Sequence, residues 1–277
     1  MNSPINIPAQ LMNSTISTPA PVVDFSLARA HGACMVVSWI FFGSNGILMA
    51  RHFRKIRVGG REQLCGEAIW FQIHRSFMNL AAFLTLLAFL FIYTFAHGTW
   101  VSKQLYGQRA FTHSIMGIII VVFSQIQPWM ALFRCHPGTR YRTVFNFMHR
   151  FTGISALILS VPTIFLGIYF LTYHQKALIA LLSLWTVWII AIFGTFEYIY
   201  WRYKSPPPNN NVHNADGGVP MTDISGNGDD PLTAPNVSPI VPGENSPMNN
   251  KKLALYLVHF SVSLGFAIAI VVLICKP

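Results

Sequence analysis

Residues Phe77 to Ala96 are almost all apolar, a run long enough to cross a bilayer as one helix. A histidine stands at its head, in Trp70-Phe71-Gln72-Ile73-His74-Arg75. An imidazole one turn inside such a helix is poorly solvated and calls for a partner. The arrangement repeats three times: His31 precedes an apolar run to Ala50, His113 one to Phe133, and His149 one to Leu171. Two more apolar runs, about Ala177 to Tyr200 and Leu253 to Cys275, bring the total to six. Any fold for this chain must account for four helices with a histidine near each N-terminal end.

Composition places the chain in a class. Of its 277 residues 53% are hydrophobic and only 10% charged, where a soluble domain carries about a quarter charged residues. The expected fold is an all-α polytopic membrane protein with six transmembrane helices, the first four forming a core. A transmembrane barrel would show short alternating strands instead. The net charge of +10 does not imply nucleic acid, because the cations gather in particular loops. Cys34, Cys65, Cys135 and Cys275 include no C-x-x-C pair, so neither a zinc site nor a disulfide framework is expected.

The chain divides by composition into four parts. Residues 1–24 read as an outer, polar N-terminal tail without the apolar core of a signal peptide, containing the sequon Asn13-Ser14-Thr15. Residues 25–203 hold five of the helices. Residues 204–250 are rich in Pro, Asn, Gly, Asp and Ser, have almost no aromatics, and read as a disordered linker. Residues 251–277 hold the sixth helix. The loops after helices one, three and five, with the adjoining helix ends, contain Arg51, Arg54, Lys55, Arg57, Arg61, Arg75, Arg134, Arg140, Arg142, Arg150, Arg202, Lys204, Lys251 and Lys252. These are 14 of the 19 Lys and Arg residues. That bias puts this face, and the linker, in the cytosol, and both termini on the non-cytosolic side.

Because successive helices reverse direction, the four histidines alternate faces. His31 and His113 fall near the outer face, His74 and His149 near the cytosolic one. Two imidazoles on facing helices are the axial ligands expected of a six-coordinate haem in a bundle core, which carries electrons and offers no open iron position. Placed a turn inside a core of ~30 Å, the two sites lie roughly 20 Å apart. Gly117 and Gly153, each four residues after a histidine and on the same helix face, leave room for a flat macrocycle. A single intramembrane histidine is as readily a buried hydrogen-bonding residue, and such glycines also serve helix packing. Four histidines, one per consecutive helix with alternating faces, favour ligation. His52, His97, His136, His174, His213 and His259 read as non-ligands.

The order His31-Gly32…Met35, Trp70-Phe71-x-x-His74-Arg75, His113-Ser114-x-x-Gly117 and His149-Arg150-x-x-Gly153 resembles the cytochrome b561 family. Ala50-Arg51 and Gln127-Pro128 make it most similar to the ferric-chelate-reductase-like branch, in which this core often follows a DOMON domain; none is recognised in these 277 residues. The resemblance covers about Ala28 to Tyr200. It implies two haem b groups, ligated by His31 with His113 and by His74 with His149, and ascorbate, usually cytosolic, as donor. It further implies a ferric chelate or monodehydroascorbate as acceptor on the other side.

Arg75 and Arg150, each directly after a ligand, are the expected partners of haem propionates by charge-assisted hydrogen bonds. Arg51, Lys55, Arg57, Arg61, Arg75, Arg142 and Arg150 would attract an anionic reductant, although setting topology and meeting lipid headgroups account better for any one of them. At the outer face His97, Lys103, Tyr106, Arg109, His174 and Lys176 are positioned to help dock a ferric chelate. A homodimer is compatible with this reading. The competing reading is a haem-free receptor or adaptor signalling through residues 204–250; a small-solute transporter is disfavoured because no inverted repeat or pair of broken helices stands out.

Overall fold

A computed structural model describes residues 24–54, 63–64, 66–132, 141–171, 173–203 and 247–276. The N-terminal tail with its sequon, Lys55, Arg57, Arg61, Arg134, Arg140, Cys65, Cys135 and most of the 204–250 linker lie outside the described residues.

Six helices are long and apolar enough to span a membrane: α1 Ser26–His52, α2 Ile69–Phe95, α3 Lys103–Leu132, α4 Tyr141–Ile168, α5 Gln175–Arg202 and α6 Pro247–Cys275. The helical part of α3 proper follows a kink at Gly107, whose φ of 80° and ψ of 170° are open to glycine and costly for other residues. Ahead of α2, β1 Gln63–Leu64 and β2 Glu67–Ala68 form a small antiparallel pair, with Gly66 at φ 80° in the turn. The outward faces carry large apolar side chains, among them Phe83, Ile158, Leu184, Val187 and Ile190. An apolar exterior on an all-helical bundle is the arrangement a lipid solvent requires. The expected class, an all-α polytopic membrane protein with six spanning helices, is the observed one.

Helix α1 is the axis of the bundle. In its most apolar stretch 61% of residues are buried, against 22–28% in the other five spans. The reason lies in its sequence, because Ser38, Gly43, Ser44, Asn45 and Gly46 would be poor lipid-facing residues and are all buried. Its middle, Val37–Gly43, is π-helical, a local widening that the hydrophobic pattern did not announce. Side chains satisfy the backbone there: the Ser44 hydroxyl donates to the Ile40 carbonyl at 2.6 Å, and the Asn45 amide to the Phe41 carbonyl at 2.8 Å.

Hydrogen bonds tie the neighbours to this axis. Ser38 of α1 donates to the Ala81 carbonyl of α2 at 2.8 Å and lies 2.8 Å from the Thr85 hydroxyl. The Asn45 amide also donates to Ser263 of α6 at 2.8 Å. Around Val36, Ile40 and Leu48 of α1, the side chains of Leu178, Trp185 and Phe196 of α5 and Ile270 of α6 close one continuous core. Helix α6, read from the sequence as a separate segment beyond the linker, therefore packs within the same bundle as the first five. His259 of α6, read as a non-ligand, is fully buried and accepts a hydrogen bond from the Trp188 indole at 3.1 Å.

Candidate functional site: two facing histidine pairs

The helices reverse direction at each turn, and the heads of α1 and α3 fall at one end of the bundle, those of α2 and α4 at the other. His31 and His113 face each other with ring centroids 6.2 Å apart and planes at 73°. His74 and His149 do the same at 6.3 Å and 75°.

Each ring is oriented from behind. The Nδ1–H of His31 donates to the Ala88 carbonyl of α2 at 2.9 Å. His74 donates in the same way to the Gly46 carbonyl of α1 at 2.8 Å, and His113 to the Thr163 carbonyl of α4 at 3.0 Å. A carbonyl can only accept, so in each neutral imidazole the proton sits on Nδ1 and the lone pair on Nε2. The fourth ring, His149, stacks on Phe145 at 5.6 Å and 13°. Phe170 meets His113 edge-on at 5.6 Å. Three half-buried imidazoles with Nε2 kept as a lone pair and Nδ1–H held by a backbone carbonyl have the usual outer shell of a metal-ligating histidine.

The spacing fits a haem iron. Two metal–nitrogen bonds of about 2 Å, with the half-width of an imidazole on either side, place the centroids of a bis-histidine pair roughly 6 Å apart. Both observed separations agree. A side chain added at Gly117, one turn beyond His113, would meet nothing within 4 Å, so open space adjoins the first pair. Gly153, one turn beyond His149, instead makes room for Gln127, whose amide nitrogen would lie 3.2 Å from an added Cβ. Gln127 of α3 donates to the His149 carbonyl at 3.0 Å and to the Thr152 hydroxyl at 2.6 Å. The glycine at 153 thus serves an interhelical clasp in the polypeptide, not the open space expected there, whereas Gly117 has open space beside it.

The His74/His149 end is the basic one. Arg150 is exposed, and Arg75 is exposed too, donating to Gln72 at 2.5 Å with its guanidinium over Phe71. Arg142 lies over the Phe145 ring that stacks on His149. Arg54 covers Trp70, and burial, then the charges of Arg150 and Arg51, hold its pKa below the ordinary arginine value. Arg51, read from the sequence as one of several cations attracting a reductant, is engaged in the protein itself. It pairs with both carboxylate oxygens of Glu197 at 2.8 and 3.2 Å and lies over Tyr200, with His52 Nε2 3.5 Å from the same carboxylate.

At the opposite end, His97 and His174 both adopt left-handed backbone, at φ 49° and 57°. They sit in the turns after α2 and before α5, and Arg109 rests over Tyr169 at 4.9 Å. Lys103 and Tyr106 are exposed at the start of α3. Sequence reading missed the carbonyls of Gly46, Ala88 and Thr163. Backbone acceptors carry no residue-type signal and become visible only once the helices are packed.

The chain is thus an integral, multi-pass helical membrane protein that holds two facing pairs of imidazoles inside its bundle. Residues 30–175, more than half of the chain, match the family model for eukaryotic cytochrome b561. The chain belongs to the cytochrome b561 family, a haem-binding one. It is 37% identical over 143 residues to ferric-chelate reductase 1 of Homo sapiens, covering 51% of this chain and 22% of that protein. It is 36% identical over 142 residues to ferric-chelate reductase 1 of Mus musculus, with the same coverage of 51% and 22%. A cytochrome b561 and DOMON domain-containing protein of Arabidopsis thaliana is 27% identical over 148 residues, covering 53% of this chain and 33% of its own length. The matched stretch is therefore a third or less of each of these relatives. No solved structure matches.

Proposed function

We propose that this chain carries electrons across a membrane through two bis-histidine b-type haems, one held by His31 and His113 and the other by His74 and His149. The observation that carries the reading is the pair of ring separations, 6.2 and 6.3 Å, on helices whose family is haem-binding. A haem held by these histidines would supply a one-electron couple. The protein's own contribution is to hold Nε2 of each ring as a lone pair, to fix ring orientation through the Nδ1–H bonds, and to keep water out of the bundle.

The reaction proposed is reduction of a ferric chelate or monodehydroascorbate by ascorbate on the opposite side. The names of the human and mouse relatives support the ferric acceptor. Ascorbate is an anion, and the His74/His149 end carries Arg51, Arg54, Arg75, Arg142 and Arg150, so the donor is assigned to that end and that end to the cytosol. Arg75 and Arg150 are assigned to haem propionates. His97 and Arg109 at the far end are assigned to the acceptor. The experiment is a sided one: protein in vesicles, ascorbate presented to the basic end, and a ferric chelate on the other side. The reading predicts ferrous product across the bilayer, lost on substituting either histidine pair; an equal yield from protein-free vesicles would refute it.

A further inference from the structure

Two glycines lie beside the seats of histidines, Gly46 inside α1 and Gly167 in the last turn of α4. Glycine weakens a helix interior, so the presence of Gly46 needs a reason. Gly167 of α4 is four residues beyond Thr163, on the same face. The Thr163 carbonyl accepts the Nδ1–H of His113 at 3.0 Å. A Cβ built at Gly167 would stand 3.1 Å from Cε1 of His113 and 3.7 Å from its Nδ1. Cε1 lies between the two ring nitrogens, so a methyl group there presses on the imidazole beside both the hydrogen-bonding and the lone-pair nitrogen.

Gly46 of α1 plays the matching part at the other end. Its carbonyl accepts the Nδ1–H of His74 at 2.8 Å. A Cβ there would lie 2.8 Å from Sδ of Met78 and 3.3 Å from both Met78 Cγ and Phe77 Cβ. Met78 is one turn beyond His74 on α2, so a side chain at 46 would push α1 away from the helix that carries the histidine. Other glycines lack this role: Gly194 and Gly265 have nothing within 4 Å of an added Cβ.

We infer that Gly167 and Gly46 are positioning residues: each lets a neighbouring helix come close enough to seat one histidine ring by a backbone carbonyl, Gly167 for His113 and Gly46 for His74. The inference rests on the reading of the four histidines as haem ligands. Each glycine then tunes one centre and not the other, because an imidazole's orientation and the strength of its Nδ1–H bond set its donation to a metal.

The test is a redox titration with optical and low-temperature EPR detection on purified full-length protein, comparing wild type with Gly167→Ala, Gly46→Ala, Gly46→Ala/Met78→Ala and the control Gly194→Ala. Gly167→Ala is expected to shift or remove one of two redox steps and its low-spin signal. Gly46→Ala is expected to do the same to the other step, with Met78→Ala restoring it. Gly194→Ala should match wild type. If Gly167→Ala does not accumulate, the Gly46 single and double variants decide on their own. Wild-type protein with two centres, left unmoved by the glycine substitutions or moved in both centres alike, would overturn the inference while leaving the ligand reading intact. Wild-type protein without haem would overturn the ligand reading itself.

Discussion

Gln127 of α3 donates its side-chain amide to the backbone carbonyl of His149 on α4, at 3.0 Å, through the gap left by the missing side chain of Gly153. One interhelical bond thus sits on the residue proposed to ligate iron at the basic end. Gln127→Leu removes that bond and the 2.6 Å bond to Thr152. Interhelical hydrogen bonds within membranes average ~0.6 kcal/mol, so a loss of about 1 kcal/mol is expected for the two. A thermal melt in detergent should show that modest loss. The redox step assigned to His74/His149 should shift while the other keeps its wild-type position.

Gly117 provides a test that separates fold from cofactor. Nothing lies within 4 Å of a Cβ at 117, so a side chain can start there without a clash with the described protein atoms. Gly117→Leu should therefore keep wild-type helix content by circular dichroism and lose haem at the His31/His113 centre, halving the haem-to-protein ratio. Full haem content in Gly117→Leu would place the cofactor elsewhere.

Much of this arrangement was legible in the sequence, for definite reasons. Six apolar runs yield six spans because backbone polar groups in lipid must be satisfied within the helix. Alternation of helix direction then sorts His31 with His113 and His74 with His149, without knowledge of side-chain contacts. The π-helical Val37–Gly43 was not legible, since a one-residue widening leaves the apolar pattern almost unchanged. Nor was the central position of α1, which follows from where Ser38, Ser44 and Asn45 find partners on α2 and within α1 and α6. Arg51 and Glu197 are 146 positions apart, and charge bias alone says nothing about such a pair. Gly46 and Gly167 looked like any other glycines until the rings behind which they pack were placed.

Asn45 bonds both to the π-helical Phe41 carbonyl and to Ser263 of α6. Asn45→Leu should therefore destabilise the protein by about 1–2 kcal/mol through the loss of two buried bonds. Ser263→Ala removes the bond between α1 and α6 and the 3.1 Å bond from Ser263 to the Phe260 carbonyl within α6, but leaves the Asn45–Phe41 bond in place, and should cost less. Paired thermal melts would read both; equal losses would mean that α6 docking, and not the π-helical carbonyl, carries the whole effect.

Glu197 neutralises Arg51 at the basic end through two short contacts. Glu197→Gln removes one negative charge there and frees the guanidinium. Reduction by ascorbate should accelerate a few-fold at low ionic strength and converge on the wild-type rate as salt shortens the screening length to about 10 Å at 0.1 M. Stopped-flow reduction across a salt series measures this. A rate that falls at low salt would place the reductant at another site.

The central claim is that two histidine pairs hold two haems, and haem stoichiometry with reduced-minus-oxidised spectra on four single variants tests it most directly. Wild-type protein should carry two b-type haems. His31→Ala and His113→Ala should each lose the same one, and His74→Ala and His149→Ala should each lose the other, leaving a single spectral and redox step in every case. Wild-type protein without a b-type spectrum, or variants whose losses group His31 with His74 or His149, would contradict the account.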